Sequence, residues 1–337
     1  MKKMLAFTAI LSAASFPALA QSSMTIYGIN DIGISHEKNG AAAGSSTRMD
    51  SGIQSGSRLG FKGVEPLGGG LAAIFTLENG FNGDSGSLGQ GGLLFGRQAW
   101  VGLSGNFGTV KLGRQNTPLF ATLFTIDPFE TGLAGDQSRI FSAGGFRMNN
   151  TINYATPSFN GLSAQFAYGI RELSANSTSA RQTGFSGQYA SGPLLAVVTY
   201  HNASNPAVMG GSTSTTLLAT TYNFGLAKLH AAFAVNKGNT QAGDTVQDTR
   251  DAMLGVSVLA GSGTVIASYI RKNDRRIADG NATQLAIGYV HPLSKRTNLY
   301  TSYARTTNET AARYNIDQTA PSGTSGNLFN VGIRHKF

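Results

Sequence analysis

Covalent chemistry needs a nucleophile or an activated water beside an oriented base, and residues able to supply either are sparse in this sequence. The five histidines, His36, His201, His230, His291 and His335, are scattered, with no recurring Asp or Ser partner at a matching depth. There is no Cys, so thiol catalysis and thiolate metal sites are excluded. The runs Gly68-Gly69-Gly70 and Gly89 to Gly92 lack the Lys and the strand-to-helix setting of a phosphate cradle and read as turn glycines. No catalytic residue, metal site or cofactor is expected. What remains is fixed charge. Between Ser57 and Gly63, Leu59 and Phe61 share one face of an extended segment and Arg58 and Lys62 the other. Between Arg147 and Ala155, Ile152 and Tyr154 oppose Arg147, and Glu78 lies with Thr76 opposite Phe75 and Leu77. Alternation groups Arg97 with Ala99, Val101 and Leu103, so it joins the polar face only if Gln98 and Trp100 turn outward. Charges at set positions on a wetted wall steer ions rather than break bonds.

The elements that carry these charges are strands. In Leu226 to Val235, Leu229, Ala231, Phe233 and Val235 share a face opposite Lys228 and His230. In Leu162 to Gly169, Leu162, Ala164, Phe166 and Tyr168 oppose Ser163 and Gln165. Such alternation fits a soluble β-sandwich as well as a barrel. The connections discriminate better. Compact turns at 65–70, 157–161, 191–193, 223–225, 261–263 and 291–294 alternate with longer polar stretches at 37–54, 82–92, 172–180, 202–211, 237–248, 272–280 and 306–326. That asymmetry is typical of outer-membrane barrels, which have an even number of strands; we count about sixteen. Tyr27, Phe61, Phe81, Tyr154, Tyr168, Tyr189, Tyr200, Tyr222, Tyr289, Tyr303 and Phe337 are spaced as girdle residues at two membrane interfaces. In the last segment, Phe329, Val331, Ile333, His335 and Phe337 share one face, as expected of a strand that pairs with the first to remove both edges.

Composition agrees with an exported all-β chain. Met1 to Ala20 has a basic start at Lys2 and Lys3, an apolar stretch and an Ala18-Leu19-Ala20 cleavage signal, so residues 1–20 read as a signal peptide and 21–337 as the mature barrel. Cleavage takes both lysines and lowers the formal charge of +9 by two. No mature segment approaches the ~18 consecutive apolar residues of a membrane helix. The 44 Gly follow no three-residue period, and 41% hydrophobic residues argue against disorder. The basic residues are dispersed and the chain is exported, so no nucleic-acid partner is expected; lipopolysaccharide and outer-membrane lipid are the acidic partners to expect.

One connection breaks the rhythm. After the strand Gly108 to Gln115, roughly thirty residues pass before the next strand near Met148, and they include Phe120, Leu123, Phe124, Ile126, Pro128 and Phe129. Exposed, this segment would be a sticky apolar patch, so it is expected to fold inside the barrel and narrow it. Its acids Asp127, Glu130 and Asp136 would then face the charges on the opposite wall.

At this point the sequence resembles the Gram-negative general-diffusion porins. The resemblance rests on Met24-Thr25-Ile26-Tyr27-Gly28, Ser57-Arg58-Leu59-Gly60-Phe61-Lys62-Gly63, Gly102-Leu103-Ser104-Gly105-Asn106-Phe107-Gly108, Leu112-Gly113-Arg114-Gln115 and Gly332-Ile333-Arg334-His335-Lys336-Phe337, in that order over the whole mature chain. It implies a sixteen-stranded antiparallel transmembrane β-barrel, a homotrimer in a Gram-negative outer membrane, and a third loop folded inward to form a constriction. Small hydrophilic solutes and ions would diffuse through. Carried onto this chain, the basic cluster is Arg58, Arg97 and Arg147, the strand carboxylate is Glu78, and the loop acids are Asp127 and Glu130. Where enteric members read Pro-Glu-Phe-Gly-Gly, this chain reads Asp127-Pro128-Phe129-Glu130-Thr131-Gly132. The terminal strand resembles the family's signal to the barrel-assembly machinery through Val331, Ile333, His335 and Phe337, with His335 where a Tyr is usual. Three arginines against these acids imply a modest anion preference. The competing readings are an outer-membrane barrel enzyme, such as a protease or phospholipase, and an exported adhesin.

Overall fold

Alternating side chains, glycine turns and polar connections produce one sheet that closes on itself. The structure, a computed structural model, describes residues 23–42, 44–141, 145–174, 177–179, 181–205 and 211–337. The signal peptide expected at 1–20 lies outside the described residues. The first strands are β1 (Ser23–Lys38), β2 (Ser45–Ser51), β3 (Arg58–Gly68), β4 (Leu71–Gly80), β5 (Gln98–Gly105), β6 (Gly108–Asn116), β7 (Arg147–Ala155) and β8 (Leu162–Gly169). A separate two-stranded ladder, β9 (Glu172–Ser174) and β10 (Ser177–Ser179), follows. The wall then continues through β11 (Gln182–Ser191), β12 (Leu194–Asn205), β13 (Gly211–Asn223), β14 (Ala227–Asn239), β15 (Thr245–Ala260), β16 (Gly263–Asp274), β17 (Ala282–Pro292), β18 (Thr297–Asn308) and β19 (Gly326–Lys336).

Closure is made by β1 and β19, antiparallel from Ile29↔Lys336 to Lys38↔Asn327. Gly28 and Phe337 exchange two further backbone bonds, of 2.9 and 3.1 Å. On its other side β1 pairs with β3 below and β2 above. β2 and β3 are thus two halves of one stave broken at 52–57, and the seventeen-stranded sheet is a closed barrel of sixteen staves. Closure of β1 on β19 leaves neither end of the barrel sheet open. The break corrects the expectation of one polar loop over 37–54. Apolar alternation missed β2 because its outward face carries Ser45, Thr47 and Ser51 with Met49 alone apolar, while Arg48 on its inner face pairs with Glu37 at 2.9 Å and with Asp50 at 3.0 Å. Other strands also outrun the apolar pattern; β14 and β15 reach into 237–248, where a loop was expected.

Short connections gather at the end where the termini meet. Between β3 and β4, Gly69 and Gly70 take φ of +58° and +79°, which glycine adopts without strain. Outward side chains are apolar and exposed, as a lipid-facing surface requires; Leu229 and Phe233 of β14 are 49% and 44% accessible. Tyr154, Tyr168, Tyr189, Tyr200, Tyr222 and Tyr303 are exposed too. Tyr27 departs from the expected girdle. Met24 and Ile26 take the outward positions of β1, so Tyr27 points into the barrel, opposite Gly60.

The buried apolar clusters lie where the β6–β7 loop presses on the inner wall. The loop opens with a helix, α1 (Pro118–Ile126). Thr117 caps it, with Oγ1 accepting from the Phe120 N–H at 3.0 Å, and Pro118 fits the first turn. The Asp127 N–H closes the far end on Leu123 O at 3.0 Å. Leu119, Thr122, Leu123 and Ile126 are buried against β11 to β14, where Leu217, Ala219, Ala232 and Ala234 turn inward. The inner face of β14 is therefore not purely polar, because small apolar residues make room for the helix. Beyond α1, Phe129 packs on Ile266, Ala286 and Tyr300. Leu133 N–H then bonds Ile53 O at 2.5 Å, and Ala134 N–H bonds Ser302 Oγ at 2.9 Å. Gly132 permits this approach, since a Cβ there would lie 2.2 Å from Gln54 O. At ~1.5–3 kcal/mol per buried side chain against ~1 kcal/mol per hydrogen bond, apolar burial is the main force seating the loop. The loop follows the inner wall from β11 round to the β2–β3 break and leaves the lumen against β3 to β7.

Candidate pore constriction

The wall opposite the seated loop is basic. Register places Arg58 on the inner face, across from Ile29 and Gly80, with Nε donating to Gly56 O at 2.9 Å. Glu78, two residues from the top of β4, also points inward and is 3% exposed. Its Oε1 accepts from Arg97 Nε at 2.8 Å and its Oε2 from the Tyr27 hydroxyl at 2.9 Å. Arg147 donates Nε to Arg97 O at 2.9 Å. Arg58, Arg97, Arg147 and Glu78 are thus brought together, and all four interact electrostatically.

Two of them arrive by routes that alternation does not describe. Gln98 and Trp100 pair with Glu78 and Thr76 and point inward, the reverse of the condition set for Arg97. Arg97 reaches Glu78 because it lies just outside the regular strand, free of its parity. For Arg147, the β6–β7 register shifts between Gly113 and Gln115, and Asn150 takes φ +50°. This bulge resets the parity, so Arg147 is located by its bond to Arg97 rather than by alternation.

Of the three loop acids expected to face the basic wall, Asp127 and Asp136 do not. Asp127 is 2% exposed, and its carboxylate accepts the N–H groups of Phe129, Thr131 and Gln137 at 3.0, 3.1 and 3.2 Å. Burial, with Asp136 nearby, pushes its carboxyl up to about 7. It organises the loop instead of facing the arginines. Asp136, raised by burial, accepts from Ser138 N–H at 2.8 Å and lines a polar cavity of about 380 Å³ with Asp50, Asp84, Arg48 and Arg139. Glu130 is exposed, at φ +53°. Its cationic neighbours are Arg334 and Lys336, and Arg334 in turn interacts with Arg58.

Arg334 and Lys336 were missed as wall residues, although parity could have found them. With Phe329, Val331 and Ile333 outward and 43–46% exposed, they face inward, opposite Asp31 and Ile29. Lys62 and Lys111 extend the basic surface, their ammonium groups 5.4 Å from the Tyr27 ring and 4.5 Å from the Trp100 ring. Asp31 was also missed. It accepts from Gln54 N–H at 2.8 Å, Ser55 N–H at 2.6 Å and the Tyr300 hydroxyl at 2.6 Å, which fixes the β2–β3 break where the loop lands.

Comparison with known proteins matches this architecture. A Gram-negative porin family model covers residues 6–311. The chain is similar to outer membrane porin protein 32 of Delftia acidovorans, 36% identical over 357 residues and the full length of both. It is also similar in structure to an anion-selective porin from Comamonas acidovorans, with TM-score 0.84 and 35% identity over 94% of this chain and 100% of that one. A Vibrio cholerae outer membrane protein solved in a trimer form shares the fold alone, with TM-score 0.71 and 16% identity over 94% and 99% of the two chains. These matches favour a channel over a barrel enzyme or an adhesin. A closed sixteen-stave barrel, an inward loop and a basic inner wall, found together with these relatives, make this chain a member of the Gram-negative porin family, a non-enzymatic pore of the outer membrane.

Proposed function

We propose that the pore between the seated loop and the β3–β7 wall passes small hydrophilic solutes and selects modestly for anions. The observation that carries this reading is unbalanced charge. Of Arg58, Arg97 and Arg147, only Arg97 has a carboxylate partner among the described residues, and the printed bonds of the other two go to backbone carbonyls. Glu78 is enclosed by Arg97 and Tyr27, and Glu130 neighbours Arg334 and Lys336. The similar porin from Comamonas acidovorans is described as anion-selective, which supports the same sign here. In this reading Arg58, Arg97, Arg147, Glu78 and Glu130 set the constriction, and Asp127 acts only through the fold of the loop. The chain loses residues 1–20 on export and assembles as a homotrimer, as the trimer form of the Vibrio cholerae neighbour supports. Lipopolysaccharide surrounds it, and the barrel-assembly machinery reads its closing strand at Val331, Ile333, His335 and Phe337.

The test is the zero-current potential across a planar bilayer in a KCl gradient. The expected sign is that of chloride preference, shrinking at 1 M salt, where the Debye length falls to ~3 Å. Arg58→Ala combined with Arg147→Ala should raise conductance and move the potential toward zero. A potential of the cation sign, or a double variant that behaves as wild type, overturns the reading.

A further inference from the structure

The seated loop leaves an aromatic surface in the lumen that its packing does not require. The buried side of α1 is Leu119, Thr122, Leu123 and Ile126, whereas Phe120, Ala121, Phe124 and Thr125 lie on the side away from the wall. Phe146, at the return of the loop, joins them. Its ring lies 5.0 Å from that of Phe120 at 67°, and Phe120 lies 6.4 Å from Phe124. The Thr117 N–H bond to Phe146 O, 3.1 Å, ties the start of the helix to this return. Phe124 and Phe146 remain 43% and 42% exposed. Apolar rings facing water in a channel are unfavourable at ~25 cal/mol per Å², and a polar residue at 124 would leave the seat of the helix untouched.

The shelf ends one residue before Arg147 in the chain and carries no charge of its own. Arg147 follows Phe146 in the chain and interacts with Arg97, Arg114 and Arg58. No charged residue occurs in α1. Exposed apolar rings inclined to one another, next in the chain to the arginine cluster, suit a solute with a ring at one end and an anion at the other.

We propose that Phe120, Phe124 and Phe146, with Arg147, form a transit site for aromatic carboxylates, in which the ring lies on the shelf and the carboxylate meets the arginine. The proposal rests on the reading of the β3–β7 wall as the anion path. It makes the pore selective for the body of the solute as well as for its charge.

The experiment measures blockade of single-channel KCl current by benzoate, acetate and benzyl alcohol. Benzoate should half-block at a concentration about tenfold lower than acetate, since each 1.4 kcal/mol is a factor of ten. Benzyl alcohol, which has the ring without the charge, should block weakly. Phe124→Ser should bring the benzoate-to-acetate ratio close to one, and Arg147→Ala should weaken block by both carboxylates. Phe146→Ser serves as the second variant if Phe124→Ser fails to give a heat-modifiable barrel. Equal block by benzoate and acetate in the wild type, an unchanged ratio in the Phe variants, or block by benzyl alcohol equal to that by benzoate overturns the proposal. A channel that prefers cations and is blocked by neither carboxylate fails at the basic wall instead, and the two failures are told apart by the zero-current potential.

Discussion

Asp127 shows how a residue's neighbours decide its role. Three backbone N–H donors favour its anion, while burial and Asp136 favour the neutral acid, and burial wins, pushing the carboxyl up to about 7. An acid whose folded pKa exceeds its unfolded value binds more protons when folded. The seated loop is therefore most stable below the ordinary carboxylate range, loses stability as pH rises toward about 7, and is constant beyond it. Asp136, raised by its own burial, acts in the same direction. Amide exchange across 127–137, corrected for intrinsic rates, should be faster at pH 8 than at pH 5, and Asp127→Asn should remove much of the difference. Equal protection at both pH values would mean that the N–H donors hold the anion without cost. The sequence shows an acid on a lumen loop. It does not show that Glu130, Thr131 and Leu133 adopt φ of +53°, +55° and +58° and so turn N–H groups of the loop back upon that acid.

At the scale of elements, the lipid-facing pattern was legible because the outward side of every stave meets one kind of solvent, so Leu229 and Phe233 or Ile152 and Tyr154 announce their strands. Legibility failed where that solvent changes or the strand stops. β2 has a charged inner face and Met49 as its large outward apolar residue, Arg97 lies beyond the start of β5, and Arg147 follows a bulge. The helix α1 was readable in principle, from Thr117-Pro118 at its start and from Leu119, Leu123 and Ile126 at helical spacing. The loop is anchored at two places with different physics, an apolar seat under α1 and a close backbone approach at Gly132. Gly132→Val should separate them. A Cβ 2.2 Å from Gln54 O has no flexible side chain to displace, so residues 131–134 must lift away from Ile53 and into the lumen while Leu119, Leu123 and Ile126 keep the helix in place. The expected result is a smaller and noisier single-channel step from a barrel that still shifts on heating. A wild-type step would show that the loop absorbs the change elsewhere.

For the whole molecule, a barrel without a conventional core depends on closing its wall. β1 and β19 are joined by backbone bonds along ten residue pairs, and the seam carries a different load on each face. Inside, Arg334 donates to Ser55 Oγ at 2.8 Å beside the Asp31 anchor, which couples closure to the landing site of the loop. Outside, the Phe337 ring lies over Gly28, where an added Cβ would stand 2.2 Å from it. His335, at the place where the resemblance leads one to expect an aromatic, shares a 2.8 Å hydrogen bond with Thr297 of β18. The two outer residues should therefore respond differently to substitution. Phe337→Ala removes an apolar contact across the seam, worth up to ~1.5–3 kcal/mol for a fully buried ring and less for one half exposed, and should lower the heat-shiftable fraction recovered on refolding into lipid vesicles. His335→Tyr exchanges one bond to β18 for an interfacial ring and should refold as well as wild type. If Phe337→Ala also refolded at the wild-type rate and extent, the backbone ladder alone would suffice for closure, and the ring would have to serve recognition during assembly in the cell, which the same variant would expose as a loss of surface barrel despite normal refolding in vitro.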